Sequence, residues 1–190
     1  LITVNNLYAN IDDLQNFMKA INILLSNEGV LVIESSYLYK MIENMVFDFI
    51  YHEHLSYLSA APLVSFLREF DMHFIRLQSV QTKGGSMRYY IAKINSQWKV
   101  DDSVKQILNK EQSKDELRNT FKLFDERIEN QKNMTREFLQ DYEDKIIVGY
   151  GASATSTTLI SHFGLNDYLN YLVDDWSSKV GTFSPGYHIP

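Results

Sequence analysis

One hundred and ninety residues with 18 Lys and Arg against 24 Asp and Glu carry a net charge of −6 and 45% hydrophobic side chains, a soluble composition long enough to bury one large core or two smaller ones. No block of Lys or Arg offers a footprint for a phosphate backbone, so nucleic acid is a poor candidate partner. No apolar run approaches the roughly 18–20 residues that span a bilayer, and no charged-then-apolar leader opens the chain, so no membrane partner and a cytoplasmic location are expected. The lack of cysteine excludes disulfides, Cys-ligated zinc and a thiol nucleophile.

Leu1-Ile2-Thr3-Val4 reads as a β-branched strand and His188-Ile189-Pro190 as an unfinished extended segment, so the chain reads as cut from something longer. Asn10 is the candidate N-cap of a first helix on which Leu14, Phe17, Ile21, Leu24 and Leu25 recur at helical spacing. Val30 to Ile33 follows as a buried strand. Strand, helix and strand with short connections make a right-handed βαβ crossover, the unit of a parallel sheet covered by helices. A short helix through Met45, a second amphipathic helix started by Pro62, and a hairpin of His73–Val80 with Met87–Ile94 come next. From Asp101 to Asp144 the chain is highly charged and lacks Gly and Pro, with Leu117, Phe121, Phe124, Ile128, Phe138 and Tyr142 on one stripe, which predicts one or two long linking helices packed on their own domains. At Lys145 the pattern resets to strand, glycine turn and helix, and then to a strand ending at Asp174-Asp175.

Three clusters can carry chemistry. Tyr51-His52-Glu53-His54 brings a phenol, a carboxylate and two imidazoles within four positions; an imidazole removes a proton near neutrality, a carboxylate holds its tautomer and a phenol donates to a developing oxyanion. A solvated turn accounts for the same residues equally well. No metal is expected there, since Ser56 stands where a His-Glu-x-x-His zinc site needs its second His. Gly84-Gly85-Ser86 with Arg88 offers bare backbone and a guanidinium to a phosphate or carbonyl, though most such loops are simply tight turns. Gly149-x-Gly151-x-x-Ala154, with Asp174 about 20 residues on, has the form of a dinucleotide turn or of a plain strand–helix corner.

The ordered strings Phe47-Asp48-Phe49-Ile50-Tyr51-His52-Glu53-His54-Leu55-Ser56-Tyr57, Gly84-Gly85-Ser86-Met87-Arg88, Gly149-Tyr150-Gly151-Ala152-Ser153, Val173-Asp174-Asp175 and Ser184-Pro185-Gly186 resemble the S-adenosylmethionine-dependent sugar-nucleotide C-methyltransferases. The resemblance covers essentially the whole chain. It implies the C-terminal part of such an enzyme: an α/β fold with residues 1–97 as the C-terminal half of a class I, Rossmann-like methyltransferase domain, 98–144 as a helical connector and 145–190 as the start of a second Rossmann-like α/β domain. Zinc belongs only to an N-terminal module ahead of this region, and most of the S-adenosylmethionine site also lies upstream. The implied reaction methylates a ring carbon beside the keto group of a nucleotide-linked deoxysugar through an enolate. By position His54 matches the base, Tyr51 a group near the sugar oxygens and Glu53 the residue that orients the cluster. Asn5 and Asn6 match the approach to the cofactor, while Glu34, Tyr37, Gly84, Gly85, Ser86, Arg88, Tyr150 and Ser153 match the nucleotide-sugar surface. Many relatives carry His in place of Asn10, and Pro-Ala-Lys-Gly in place of Ser153-Ala154-Thr155-Ser156. The competing readings are an NAD-dependent sugar-nucleotide oxidoreductase built on the Gly149 corner and a non-catalytic helper subunit that keeps the sugar-nucleotide surface. Oligomeric state is left open.

Overall fold

A computed structural model describes residues 1–111 and 113–190; Gln112, within the expected connector, lies outside the described residues. The chain divides into two compact units, one made of Leu1–Val46 and Glu53–Thr120, the other of Phe47–His52 and Phe121–Pro190.

In the first unit β1 (Ile2–Asn5) leads through a single 3-10 turn at Tyr8–Asn10 to helix α1 (Leu14–Leu24), which returns the chain to β2 (Leu31–Ser36). The cap of α1 is Asp13, whose Oδ1 accepts the Asn16 N–H at 2.9 Å. Asn10 instead closes the 3-10 turn, donating its N–H to the Leu7 carbonyl; Ile11, which is extended, and Asp12 separate it from the boundary, where Asp13 takes the cap. β1 and β2 pair in parallel, with Ile2 opposite Leu31 and Asn5 opposite Glu34, as a βαβ crossover demands. Helices α2 (Leu38–Glu43) and α3 (Ala60–Arg68) follow, then β3 (Met72–Val80) and β4 (Ser86–Lys93).

The sheet order is β1-β2-β4-β3, with β4 antiparallel to both β2 and β3. The architecture is therefore mixed α/β with a mixed sheet, because the β3–β4 hairpin inserts its second strand beside β2. Strand β2 is largely buried and β4 buries the face carrying Met87, Tyr89 and Ile91; Leu31, Ile33, Met87, Tyr89 and Ile91 form the middle of a core shared with Met18, Leu63, Leu67 and Met72. Helix α4 (Asp102–Lys110) is capped by Asp101, whose Oδ1 accepts the Ser103 N–H at 2.9 Å.

Helix α5 (Lys114–Gln140) is the long charged helix expected from the sequence, and the division between units falls within it. Its covered face differs from the predicted stripe. In the second unit Ile128 is buried, whereas Phe121, Phe138 and Tyr142 are exposed. Polar side chains do much of the packing instead: Glu129 pairs with His162 at 3.2 Å, and the Arg136 Nη1 donates to the carbonyls of Phe163 and Gly164 at 3.1 and 2.9 Å. An apolar-only periodicity cannot see such contacts.

The second unit pairs β5 (Val148–Tyr150) in parallel with β6 (Tyr171–Val173) across α6 (Ala154–Phe163). Ser153 caps α6, and a capping box joins it reciprocally to Ser156. Phe47 stacks on Phe163 with ring centroids 5.3 Å apart, and the Thr158 Oγ1 donates to the Ile50 carbonyl at 2.9 Å. These contacts explain why residues 47–52 belong to this unit.

Candidate active site

The carboxyl ends of the parallel strands β1 and β2 are crossed by the segment His54–Leu58. Its backbone is pinned twice: the Leu55 and Ser56 N–H groups donate to the Ala9 carbonyl at 2.9 and 3.0 Å, just past β1, and the Leu38 N–H donates to the Leu58 carbonyl at 2.9 Å, just past β2. In open α/β sheets this edge is where ligands bind. His54 is only 8% exposed, and its ring lies 4.6 Å from that of Tyr57. Burial, and then the positive charge of Lys83, push the imidazole below its ordinary value. Both effects favour the neutral imidazole, the form a proton acceptor needs.

On the same edge Glu34, 7% exposed, sits opposite Arg88 in the β2–β4 register. Its Oε2 accepts the Arg88 Nε–H at 2.5 Å and its Oε1 accepts the Thr82 hydroxyl at 2.9 Å. The Arg88 guanidinium is the main reason the Glu34 carboxyl is held below the usual carboxylate range. The pair leaves 40% of the Arg88 side chain exposed, so Arg88 faces solvent while Glu34 anchors it. Ser86 is fully buried, with its hydroxyl donating to the Thr82 carbonyl at 3.0 Å.

Gly84 and Gly85 have positive φ values of 77° and 118°, and a Cβ at either would come within 2.6 Å of a neighbour, Val46 Cγ2 or Lys40 Cβ. Glycine is thus demanded by packing against α2 and the residues after it. The Gly85 carbonyl accepts the Tyr37 N–H at 3.2 Å, tying the loop to the end of β2.

Tyr37, expected at the sugar-nucleotide surface, is buried, and its hydroxyl donates to Glu111 Oε1 at 3.0 Å. Burial, reinforced by Glu111, raises its phenol far above the ordinary range. Sequence reading missed Glu111, which lies 74 residues from Tyr37 and carries no local signature. It missed Thr82 and Ala9 as well, since a hydroxyl and a backbone carbonyl have no pattern that marks them.

The remaining candidates divide between the units. Glu53 is exposed in the first unit, and Tyr51 is half-buried in the second. There Tyr51 and His52 line a recess of about 490 Å³ with Ala152, Ser153, Ala154 and Thr158 at the start of α6. Tyr150 is 75% exposed, and its hydroxyl donates to Asp175 Oδ2 at 2.5 Å. Asp174 is fully engaged by its own unit: Oδ2 accepts from the Ala152 N–H and from Lys179 Nζ, both at 2.8 Å, and Oδ1 from the Trp176 N–H at 2.9 Å. The Lys179 ammonium leads the causes that lower its pKa to about 2. Among the described residues no group of three or more His, Asp or Glu is placed to hold a metal ion, and no helix is long and apolar enough to cross a membrane.

Residues 81–190, from the glycine loop and Arg88 through the C-terminal segment of the second unit, match the family described as the C-methyltransferase C-terminal domain. The chain is also 26% identical over 187 residues to the C-methyltransferase NovU of Streptomyces niveus, an alignment that covers 96% of this chain and 44% of that protein. The chain therefore spans less than half the length of the curated relative it matches. Since the family match takes in more than half of the chain, including β4 at the edge where Arg88 and Glu34 meet, the chain belongs to the C-methyltransferase C-terminal domain family.

Proposed function

We propose that the protein carrying this chain is an S-adenosylmethionine-dependent C-methyltransferase acting on a ring carbon beside the keto group of a nucleotide-linked deoxysugar, with His54 as the base. The observation that carries the reading is a buried imidazole on a doubly pinned segment at the carboxyl edge of β1 and β2. Such an imidazole takes the proton from the carbon next to the carbonyl; the C–H pair becomes the carbon–carbon π bond and the carbonyl π pair moves onto oxygen, leaving a nucleophilic enolate. Tyr51 is assigned to donate a hydrogen bond to that oxygen, and Glu53 to orient the cluster, on the strength of their adjacency in sequence. Arg88, anchored by Glu34 and partly exposed, suits a diphosphate or carbonyl oxygen. The backbone of Gly84 to Ser86 in the first unit, and Tyr150 and Ser153 in the second, are each proposed as nucleotide-sugar contacts on their sequence match alone.

S-adenosylmethionine, when bound, supplies an electrophilic methyl group. Asn5 and Asn6 fit a contact with it: both are exposed at the carboxyl end of β1, and Asn6 adopts φ 52°, turning the chain away from the strand. Zinc is assigned to an N-terminal module alone. Residues 1–97 are read as the C-terminal half of the catalytic domain, 98–144 as a connector and 145–190 as the start of a Rossmann-like domain; the parallel β5–α6–β6 unit supports the last assignment. The NAD-dependent alternative is disfavoured because Asp174, which would have to take a ribose hydroxyl, spends its oxygens on Ala152, Trp176 and Lys179. The test is mass spectrometry of the complete protein with nucleotide-linked keto sugars. One added methyl is expected for the native sequence and none for His54→Asn, which should still bind S-adenosylmethionine; full turnover by that variant refutes the role of His54.

A further inference from the structure

We propose that Glu111 is a positioning residue that fixes the His54 segment against the end of β2, an inference that rests on His54 being the base. Glu111 ends α4, with its own N–H donating to the Ile107 carbonyl at 3.2 Å. Its carboxylate gathers three donors: Oε1 accepts the Ala60 N–H at 2.5 Å and the Tyr37 hydroxyl at 3.0 Å, and Oε2 accepts the Ala61 N–H at 2.7 Å.

Ala60 and Ala61 open α3, and the first N–H groups of a helix have no partner within it. The residue that would ordinarily satisfy them, Ser59, makes no side-chain cap hydrogen bond. An acid some fifty residues away in sequence therefore performs the capping, with the added attraction of a negative charge for a helix N-terminus. The chain leaving that N-terminus backwards is the His54 segment: Leu58 is bridged to Tyr37 and bonded to Leu38, and Tyr57 lies against the His54 ring. Glu111 thus grips both sides of the Tyr37–Leu58 bridge, one through the Tyr37 side chain and the other through the start of α3. Ala9 holds Leu55 and Ser56, directly after His54, and Glu111 holds the far side of Leu58; Tyr57 lies between these two anchors, and its ring, 4.6 Å from that of His54, bears on the imidazole. Removing the carboxylate frees the end nearer Tyr57.

The test compares Glu111→Ala, Glu111→Gln, Tyr37→Phe and His54→Asn in the complete protein, measuring kcat, KM for the keto sugar nucleotide, S-adenosylmethionine affinity by calorimetry, and the folded fraction. Glu111→Ala is expected to lower kcat per folded molecule by about 10- to 100-fold, the loss associated with displacing a catalytic group by roughly 1 Å, with KM and cofactor affinity unchanged. Glu111→Gln, which keeps one acceptor oxygen, should recover part of the loss, and Tyr37→Phe, which leaves both α3 N–H bonds in place, should lose least. A wild-type kcat per folded molecule in Glu111→Ala, or a Gln variant no better than the Ala variant, overturns the proposal. Should Glu111→Ala fail to fold, Glu111→Gln decides by itself: reduced kcat at unchanged KM supports the role, and wild-type kcat overturns it. If His54→Asn is inert while Glu111→Ala turns over normally, only the positioning role fails; if His54→Asn is fully active, the base assignment fails and the positioning role with it.

Discussion

Replacing Gly85 by Ala tests whether the glycine loop is built by packing. At φ 118° and ψ 112° an L-residue is strained, at about 1–3 kcal/mol. The new Cβ would also stand 2.6 Å from Lys40 Cβ. That atom is fixed to the α2 backbone, so relief requires the helix or the loop to move, an overpacking cost of about 1–3 kcal/mol. Reduced freedom in the unfolded chain returns about 0.4–1 kcal/mol. Gly85→Ala should therefore destabilise by about 1–5 kcal/mol. Gly84→Ala has a φ of 77°, and its Cβ meets the Val46 Cγ2 methyl, also at 2.6 Å; relief there needs a change in one side chain's χ1 and no backbone shift, so it should cost less, about 1–3 kcal/mol. Urea unfolding followed through Trp98, with Trp176 replaced by Phe so that the reporter sits in the same unit as the loop, reads both. With a slope of about 1–3 kcal/mol per molar, the Gly85 variant should lose on the order of 1–3 M in midpoint. A Gly85 variant within about 0.5 kcal/mol of the parent, or one more stable than Gly84→Ala, would refute the packing account.

Arg88→Met should destabilise more at pH 7 than at pH 4. The folded-state pKa of Glu34 is depressed chiefly by Arg88, so the stabilisation from the pair is present above the ordinary carboxylate value and is lost as pH falls through the depressed one; equal losses at both pH values, measured by thermal unfolding, would contradict it. Adding Glu34→Gln to Arg88→Met should restore part of the stability at pH 7, because no buried carboxylate is then left without its cation. In the complete protein the acid limb of kcat/KM should fall below about 6.5, the ordinary imidazole value, since burial and Lys83 lower the His54 pKa and protonation removes the base; a limb above that value would count against His54.

What the sequence disclosed follows from the range of each signal. The βαβ crossover and the β3–β4 hairpin were legible because their strands are apolar runs bounded by turns, and the Ser153 to Gly164 helix because it lies between a glycine turn and a further strand. Asn10 reads as the cap of α1 although Asp13 holds that place, since Asn and Asp are equally good caps and only the extended turn of the chain at Ile11 decides between them. The covered face of α5 was misjudged because Arg136 and Glu129 pack through polar groups. Local chemistry singles out His54 and Arg88 as candidates, but neither the burial of His54 nor the Glu34 partner of Arg88 has a local sequence signal. The two glycines were noticed, but what occupies their Cβ positions, Val46 and Lys40, depends on α2 folding back on the loop. Glu111 was invisible, as its three donors come from two segments about fifty or more residues away.

The central claim is that His54 takes a proton from carbon beside a carbonyl, and isotope exchange reads that step alone. The complete protein, incubated in deuterium oxide with the keto sugar nucleotide and S-adenosylhomocysteine so that methylation cannot follow, should place deuterium at the carbon next to the ketone, while His54→Asn should leave that position as hydrogen. Exchange at the parental rate in the Asn variant would contradict the account.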